Sequence, residues 1–482
     1  MTIANTTVPI VLTVLVLARP GSAGAAAQGR AASQAPPPRA QVLSGSLLGG
    51  VPTGQVTPEP LALSLKDAVD RALRSNLGVL LQQESVRLSE GTRAVTLSDL
   101  LPNISARLAA TRQQVNLAAF GFTGFPGANI PTLVGPFNVF DGRLSVTQSL
   151  IDFSRQNDLR ADSATVRAEI ATLKSIRGMA AVVAAGLYVQ SVAAESRIAA
   201  ARTQAETADA LYRLATDLKE AGIVAGIDVI RAQVQQQGQR QRLIAAQNDF
   251  EKLKLQLARA IGLPIGQTIV LTDKVPYAPL SPPALDTALA RAYTFRADYQ
   301  AIRAHADAAE ADRDSARSEL LPSLHANADY GTIGQSPGNA QPTFAVSANM
   351  RVPVFEGGRQ RAHLVEADAR LRERQSELAD YRARVDYEVR AALLDLRSAE
   401  EQVQVTQAAV TLANQELEQA RDRFSAGVAS NVEVIQAQDA VASASEQYIS
   451  ILYAHNLAKI ALAAALGVVD ESAAAFIEGS IQ

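Results

Sequence analysis

Histidines, cysteines and carboxylates are the residue types that could do chemistry in this chain, and their spacing argues against it. The four histidines are too scattered for any pair to have the spacing of metal ligands: His305, His325, His363 and His455. Cysteine is absent, which excludes disulfides, thiol catalysis and a lipid-modified cysteine. No phosphate-binding glycine loop and no nucleophile elbow is present. We therefore expect no enzyme, no metal site and no cofactor.

A thirteen-residue segment occurs twice and organises the rest of the chain. Residues 221–233 read AGIVAGIDVIRAQ and residues 426–438 read AGVASNVEVIQAQ. Each copy has the pattern of a helix end, a tight turn and a new helix start, with Gly222 and Gly427 as left-handed stop residues. The sequence therefore predicts two helical hairpins, each with its tip in one copy.

Each tip carries a carboxylate close to the start of its second helix. Asp228 occupies this place in the first copy and Glu433 in the second, where a negative charge stabilises the helix dipole. Ser430 and Glu433 also have the spacing of a capping box.

Other landmarks recur in the same order, so the duplication covers most of the chain. The paired landmarks are Leu100-Leu101-Pro102 with Leu320-Leu321-Pro322, Arg155-Gln156 with Arg359-Gln360, and Leu257-Ala258 to Gly262 with Leu462-Ala463 to Gly467. We predict two repeats, residues 61–265 and 284–470, joined by a proline-rich, non-helical connector over 266–283.

The remaining residues predict an exported protein. An apolar stretch followed by small residues indicates a signal peptide over residues 1–27, and residues 28–60 have the composition of a disordered Pro/Ala-rich linker. Residues 471–482 form a tail to which we assign no role. The net charge of −3 gives no reason to expect nucleic-acid binding. No later stretch reads as a transmembrane helix, so any membrane embedding is expected to use strands.

After Pro102 and again after Pro322, the hydrophobic period changes from that of a helix to that of a strand. The alternation predicts two hairpins, over 103–151 and 322–354, each apolar on one face. Membrane-barrel strands alternate in this way over about ten residues. The opposite, polar face is predicted to line a water-filled lumen, and it includes Ser323, His325, Asn327, Asp329, Asn349 and Arg351.

Long uninterrupted helices are predicted between the strands and the tips, in addition to one helix from about Leu65 to Leu100. Residues 359–426 contain neither proline nor glycine, and at about 1.5 Å per residue such a helix is roughly 100 Å long. Large residues recur there every seventh position, at Val389, Leu396, Val403, Val410, Leu417 and Phe424, and mostly small ones follow three positions later. This heptad pattern predicts coiled-coil contact between helices.

The chain resembles the TolC family of outer-membrane efflux ducts in the order of its elements. This order occurs twice: helix, LLP, hairpin, long helix, glycine tip, returning helix and LG. Further matching phrases are Leu63-Ser64-Leu65 with Ala68, Ala72-Leu73 and Asn76, and the segment VFEGGR at 354–359. The resemblance implies a mainly α-helical fold with a membrane β-barrel portion, in which four strands per protomer close a twelve-stranded barrel in a homotrimer. It also implies a periplasmic α-barrel, and docking onto a periplasmic adaptor and an inner-membrane pump.

The resemblance also implies roles for tip residues. A carboxylate ring at the narrow periplasmic end of these ducts controls cation passage, and the matching aperture positions are Asp228, Glu433 and Gln436. Adaptor docking is implied for Gly222, Ile223, Gly427 and Val428. The tyrosine and arginine that link the family's tips correspond to Phe424 and Ala429, so the usual polar lock is not expected here.

Two functions are compatible with the sequence. An outer-membrane exit duct for small molecules or polypeptides uses every predicted element, because four strands alone leave unpaired edges in lipid and need other protomers to close them. The alternative is a periplasmic coiled-coil adaptor or structural scaffold, which uses the long hairpins but has no need of lipid-facing strands.

Overall fold

Two long helical hairpins and a four-stranded sheet make up most of the chain. The computed structural model describes residues 45–121, 131–274 and 277–468. The helices are α1 Leu65–Ser75, α2 Leu77–Ser98, α3 Phe153–Glu220, α4 Gly226–Ala260, α5 Leu285–Phe295, α6 Ala297–Ser318, α7 Arg359–Ser425 and α8 Asn431–Ala465. The strands are β1 Leu61–Leu63, β2 Asn103–Asn116, β3 Leu133–Ile151, β4 Ile269–Leu271, β5 Ser323–Gly334 and β6 Gln341–Arg351.

The uninterrupted helices form as their sequences predict. Helix α3 has 68 residues and α7 has 67, and the returning helices α4 and α8 have 35 each. On α7 the predicted heptad line is buried except for the half-buried Val410, the small residues beside it are buried too, and α7 packs against α8. Helix α3 packs against both α4 and α8, so the two hairpins share one interface. The small residues let the helices approach closely.

The predicted helix from Leu65 to Leu100 is two helices, so that prediction is wrong. Asn76 takes an extended conformation between α1 and α2, and its Oδ1 accepts a hydrogen bond from the Gly78 N–H at 3.0 Å. Its Nδ2 donates to the Leu47 carbonyl at 2.7 Å and to the Ala260 carbonyl at 3.3 Å. A buried amide that satisfies three backbone groups stabilises this break.

Arg296 occupies the corresponding break between α5 and α6 in the second half. It is buried, and its Nη2 lies 2.6 Å from carboxylate oxygens of both Asp298 and Glu388. Burial by itself raises the pKa of Asp298, but the hydrogen bond and charge of Arg296 outweigh it, and the pKa of Asp298 lies below its usual value. The ion pair between Arg296 and Glu388 therefore connects the break between α5 and α6 to helix α7.

Each returning helix is followed by a glycine, Gly262 or Gly467. This glycine packs against backbone near the helix break at the start of the same repeat. Gly262 and Gly467 have φ values of 66° and 77°. A Cβ on Gly262 would lie 2.7 Å from the Val51 carbonyl oxygen, and one on Gly467 would lie 2.7 Å from the Arg296 nitrogen. Both positions therefore require glycine, which explains why the LG phrase occurs twice.

The main sheet is antiparallel in the order β2-β3-β5-β6, and it joins the two predicted hairpins. Its central pairing places Ser145 opposite Asp329 and Val146 opposite Ala328. Among the described residues, the outer edges of β2 and β6 have no partner strand. The sheet therefore ends in two free edges.

Residues 45–60 are not disordered, so this part of the linker prediction is wrong. The Val51 N–H donates to the Ser75 carbonyl at 2.8 Å, and the Thr53 N–H donates to the Gly262 carbonyl at 3.0 Å. Backbone pairing with the rest of the fold holds this segment in spite of its composition. The predicted signal peptide, residues 28–44 and the whole predicted tail, residues 471–482, lie outside the described residues.

The connector contributes a strand to a second, small sheet. Strand β4 runs parallel to β1, with Leu61 opposite Ile269 and Leu63 opposite Leu271. Tyr188 on α3 is buried below this pair, and its hydroxyl donates to the Leu63 carbonyl at 3.0 Å. The largest apolar cluster of the described residues surrounds this point.

Two of the described helices, Phe153–Glu220 and Asn431–Ala465, are long and apolar enough to cross a membrane when judged by length and composition alone. The expectation that no such stretch exists is therefore wrong on this measure. Both helices are rich in alanine, which raises the mean hydropathy, and they pack against each other.

Candidate functional site

Both tips end in the left-handed glycine turn that the sequence predicts. Gly222 has φ 74° and Gly427 has φ 73°. The next residue donates back across the last helical turn in each case, from Ile223 N to the Leu218 carbonyl at 2.8 Å and from Val428 N to the Arg423 carbonyl at 3.0 Å. This is the Schellman arrangement, which reverses the chain within a few residues.

The tips present apolar side chains to solvent. Ile223 is 58% exposed and Val428 is 70% exposed. A Cβ built on Gly427 would lie 3.6 Å from the Ile223 Cγ2, so the two turns are neighbours. All four residues with an implied docking role therefore belong to one patch at the end of the hairpins, which we call the tip patch: Gly222, Ile223, Gly427 and Val428.

The tip carboxylates pair with arginines. Asp228 lies 3.4 Å from Arg231 on the same helix, and Glu433 lies 3.5 Å from Arg423 across the turn. The Ser430 side chain makes no capping hydrogen bond among the described residues, so the predicted capping box is wrong. The Glu433 carboxylate instead turns toward the positive charge of Arg423. Gln436, the third aperture position, is exposed.

A polar link between the two tips was not predicted. Asn431 is buried, and its Nδ2 donates to the Asp228 backbone carbonyl at 2.8 Å. Phe424, which replaces the family's tyrosine, is buried in the apolar cluster of the tips with Leu211 and Val434. A polar residue at the start of a helix is so often a cap that its sequence position gave no sign of this bond.

The six predicted lumen residues share one face of the sheet. Cross-strand partners point to the same side, and the register pairs Ser323 with Arg351, His325 with Asn349, and Asn327 with Ser347. The same register continues onto β3, where Asp329 lies opposite Ser145. We call this side the polar face. The other side carries the apolar residues that alternate with them.

Arg143 is the centre of the polar face, a role that its place in the strand pattern did not indicate. Its guanidinium binds the Asp329 carboxylate, and its Nε lies 3.1 Å from Asp141. Gly331 lies directly opposite Arg143, and a Cβ there would lie 2.8 Å from the Arg143 Cα. A side chain at position 331 would therefore collide with the backbone of Arg143.

The candidate carboxylates of the tips and of the polar face are paired with arginines. Among the residues that the structure describes, no three His, Asp or Glu side chains lie close enough together to hold a metal ion. The arrangement consists instead of paired charges on helix ends and on one side of a sheet.

The model of the family described as "Outer membrane efflux protein" matches residues 68–263 and 286–468, the greater part of both repeats. The chain belongs to the outer membrane efflux protein family. This family consists of outer-membrane channels and not of enzymes. The chain is thus an exit duct for efflux or type I secretion, located in the outer membrane with helices in the periplasm, as the TolC-family resemblance implied.

Curated relatives and solved structures agree with this membership. The chain is 24% identical to the pyoverdine export outer membrane protein OpmQ of Pseudomonas aeruginosa, with 84% of this chain and 85% of that protein covered. It is 23% identical to the alkaline protease secretion protein AprF of the same species, with 61% and 63% covered.

The fold matches that of solved outer-membrane channels. The channel OprN superposes with a TM-score of 0.73 at 18% identity, covering 84% of this chain and 89% of that one. VceC of Vibrio cholerae superposes with a TM-score of 0.71 at 19% identity, covering 84% and 96%. The predicted combination of long helical hairpins with a strand portion is confirmed.

Proposed function

We propose that three copies of this chain close a twelve-stranded barrel in the outer membrane and continue as one helical duct through the periplasm. The free edges of β2 and β6 support this assembly, since unpaired backbone groups are costly in lipid. Because successive strands of the sheet are antiparallel, β2 and β6 run in opposite directions. β6 of one copy can therefore pair with β2 of the next in an entirely antiparallel barrel.

The main support for a membrane barrel is that one face of the sheet is apolar and exposed while the other is polar. Leu108 is 80% exposed, Phe344 is 76% exposed and Val346 is 75% exposed, all on the apolar face. Such side chains are stable in contact with lipid and unfavourable in water. The polar face then lines the lumen with Ser323, His325, Asn327, Asp329, Asn349 and Arg351.

Helices at the edges of the helical layer support the same assembly. Val405 and Leu412 are exposed on the side of α7 opposite the seam that packs on α8. Helix α4 exposes Val234 and Ile244 on the side opposite its buried residues. Contact between α7 of one copy and α4 of the next covers both apolar stripes.

At the periplasmic end, we assign the aperture to Asp228, Glu433 and Gln436. The tip patch docks onto a periplasmic adaptor, which connects the duct to an inner-membrane pump. An exposed apolar patch bordered by charged residues fits such a contact. The duct itself is passive, and the pump selects the cargo.

The cargo class stays broad in this proposal. One relative is named for pyoverdine export and another for secretion of a protease, so both small molecules and polypeptides pass through ducts of this family. The alternative of a periplasmic adaptor or scaffold finds no support in the family match.

Gel migration of the protein from purified outer membranes, with and without boiling, tests the assembly. We expect a band of trimer size that collapses to monomer on boiling and that resists extraction with high salt or alkali. A protein that leaves the membrane with salt and migrates as a monomer in both lanes would contradict the barrel.

A further inference from the structure

An extended segment covers the helix break of the first repeat. Residues 46–53, which we call the strap, form an antiparallel bridge there, with Gly50 opposite Asn76. Three backbone hydrogen bonds hold the strap: Leu77 N–H to the Gly49 carbonyl at 3.0 Å, Val51 N–H to the Ser75 carbonyl at 2.8 Å, and Thr53 N–H to the Gly262 carbonyl at 3.0 Å. The strap therefore satisfies one N–H and two carbonyl groups of the first repeat.

Two side-chain positions of the strap fit the site closely. Leu47 is buried in an apolar cluster with Ile176 and Ala180 of α3. A Cβ on Gly50 would lie 2.5 Å from the Gly262 nitrogen. The site thus accepts an apolar residue and, three positions later, a glycine.

The corresponding positions of the second repeat line a cavity of about 1020 Å³ at the break between α5 and α6. Six residues that contact the strap in the first repeat are Ser75, Asn76, Leu77, Ala180, Arg259 and Gly262. The paired landmarks of the two repeats align them with Phe295, Arg296, Ala297, Arg384, Ala464 and Gly467, and all six of these line the cavity. The cavity is therefore the second-repeat counterpart of the strap site.

The backbone around the cavity offers the hydrogen-bonding groups that the strap uses in the first repeat. The counterparts of the three bonded groups are the Phe295 carbonyl, the Ala297 N–H and the Gly467 carbonyl. Within the described ranges, no hydrogen bond pairs any of these three groups. Ala297 is buried, and buried backbone groups are normally paired. This pattern fits an extended segment of polypeptide.

The chain carries a segment with the strap's spacing directly after the cavity. Residues 469–482 read VDESAAAFIEGSIQ and follow Val468, which lines the cavity. Their only glycine is Gly479, and Phe476 precedes it by three positions, as Leu47 precedes Gly50. The ten residues between Val468 and Gly479 extend up to about 3.5 Å each, so the segment can reverse direction and still reach the break.

Charge favours the same segment. The described residues that line the cavity include four cations and three carboxylates: Lys174, Arg291, Arg296 and Arg384, with Asp298, Glu388 and Asp395. Residues 469–482 carry three carboxylates, Asp470, Glu471 and Glu478, and neither lysine nor arginine. An excess of one positive charge in the cavity supports an acidic segment, and the backbone pattern provides the stronger argument.

We propose that residues 469–482 bind in this cavity of their own chain as an extended segment. Gly479 lies opposite Arg296, as Gly50 lies opposite Asn76, and Phe476 takes the place of Leu47. The segment then closes the second repeat as the strap closes the first. This inference concerns a single protomer and does not rest on the proposed barrel.

The absence of cysteine allows a cross-linking test. Glu478 takes the place of Gly49, and a Cβ built on Gly49 would lie 3.9 Å from the Leu77 Cβ, a distance that suits a disulfide. Glu478→Cys with Ala297→Cys should therefore form a disulfide within one chain when the purified channel is oxidised with copper phenanthroline. Non-reducing denaturing gels separate the internally linked chain from the linear chain and from covalent dimers.

Two matched pairs calibrate the rate of cross-linking. Gly49→Cys with Leu77→Cys joins the strap to its own site and should react fast. Glu478→Cys with Ile265→Cys should react slowly, because Ile265 is exposed and does not line the cavity. We expect the test pair to react within about threefold of the strap pair and at least about tenfold faster than the slow pair, since docking raises the effective concentration of the thiol.

The glycine provides a second test. Gly479→Val, added to the test pair, should slow cross-linking about tenfold, because an overpacked contact disfavours the bound segment by about that factor. Ser472→Val adds a valine at a position to which no close contact is assigned, and should change the rate less than about twofold.

Each contrary result has a distinct meaning. If the test pair reacts as slowly as the pair with Ile265→Cys, while the strap pair reacts fast and heat-modifiable trimers persist, the segment does not bind in the cavity. A covalent dimer in place of the internal link would show that another copy fills the cavity, which refutes binding within one chain. An internal link that Gly479→Val leaves unchanged would refute the bridge between Gly479 and Arg296.

Discussion

Gly467 shows how strongly one residue can depend on distant backbone. Its φ of 77° is unfavourable for residues with a side chain, and a Cβ there would press against the backbone of Phe295 and Arg296 at 2.7 Å. We expect Gly467→Ala to lower the thermal unfolding midpoint of the purified channel, at a cost of more than about 1 kcal/mol.

Gly238 supplies the matched control for this substitution. It lies inside α4, where an added Cβ meets nothing within 4 Å. Gly238→Ala should stabilise the protein by up to about 1 kcal/mol, because alanine has the higher helix propensity. Equal effects of the two substitutions would show that the close approach at Gly467 is unimportant.

His455 makes stability depend on pH. It is buried on α8, and neither ring nitrogen has a hydrogen-bond partner among the described residues. Burial, together with the nearby charge of Lys459, lowers the pKa of His455 to about 4. The unfolded chain takes up the proton near pH 6.5, so the folded state loses stability as pH falls from there toward 4.

Replacing this histidine by His455→Phe should therefore reduce the loss of stability between pH 7.5 and pH 5 by on the order of 1–2 kcal/mol. Thermal unfolding of the purified channel at both pH values measures this difference. His363→Phe, at a half-exposed histidine beside Glu319, is the control. An unchanged pH dependence in His455→Phe would mean that the buried ring is not the source.

Each hairpin tip combines a glycine in the left-handed conformation with an exposed apolar residue. Ile223 and Val428 are exposed, so their side chains add little to the stability of the hairpins. Ile223→Asp combined with Val428→Asp should abolish pump-dependent export, because a charge in an apolar contact is costly. Heat-modifiable trimers should remain in the outer membrane.

The control for the tip variant is Ile265→Asp, which changes an equally exposed apolar residue outside the tips. Export by this variant should match that of the unchanged protein. Gly427→Val offers a second approach to the same turn, since valine is strained at the φ of 73°. Normal export by both tip variants would remove the docking role from the tip patch.

At the scale of the whole molecule, the free strand edges and the exposed stripes on α4 and α7 occur at the borders of one protomer. Val405→Asp with Leu412→Asp places two charges in the stripe that we assign to the contact between copies. This variant should lose the heat-modifiable trimer band, while Val270→Asp, an exposed change on β4, should retain it. Trimers of normal heat resistance in the first variant would place the contact elsewhere.

The duplication, the lengths of the long helices, the glycine turns and the two faces of the strands were all predictable from the sequence. These features follow from local rules, since helix length depends on the absence of Pro and Gly and strand sidedness depends on alternation. The candidate lumen residues followed from the same alternation, whereas the aperture and docking roles of the tip residues followed from the family resemblance; both sets stay predictions.

The contacts between these elements became visible in the folded chain alone. Asn76 interrupts a periodic helix because its amide donates to the carbonyls of Leu47 and Ala260. Glu433 forms an ion pair with Arg423 instead of the predicted capping box with Ser430. Arg143 forms an ion pair with Asp329, which belongs to the other repeat and lies nearly two hundred residues away in sequence. Each of these contacts joins residues that no local pattern connects, because the free energy of a buried polar group depends on the partners that the fold brings to it.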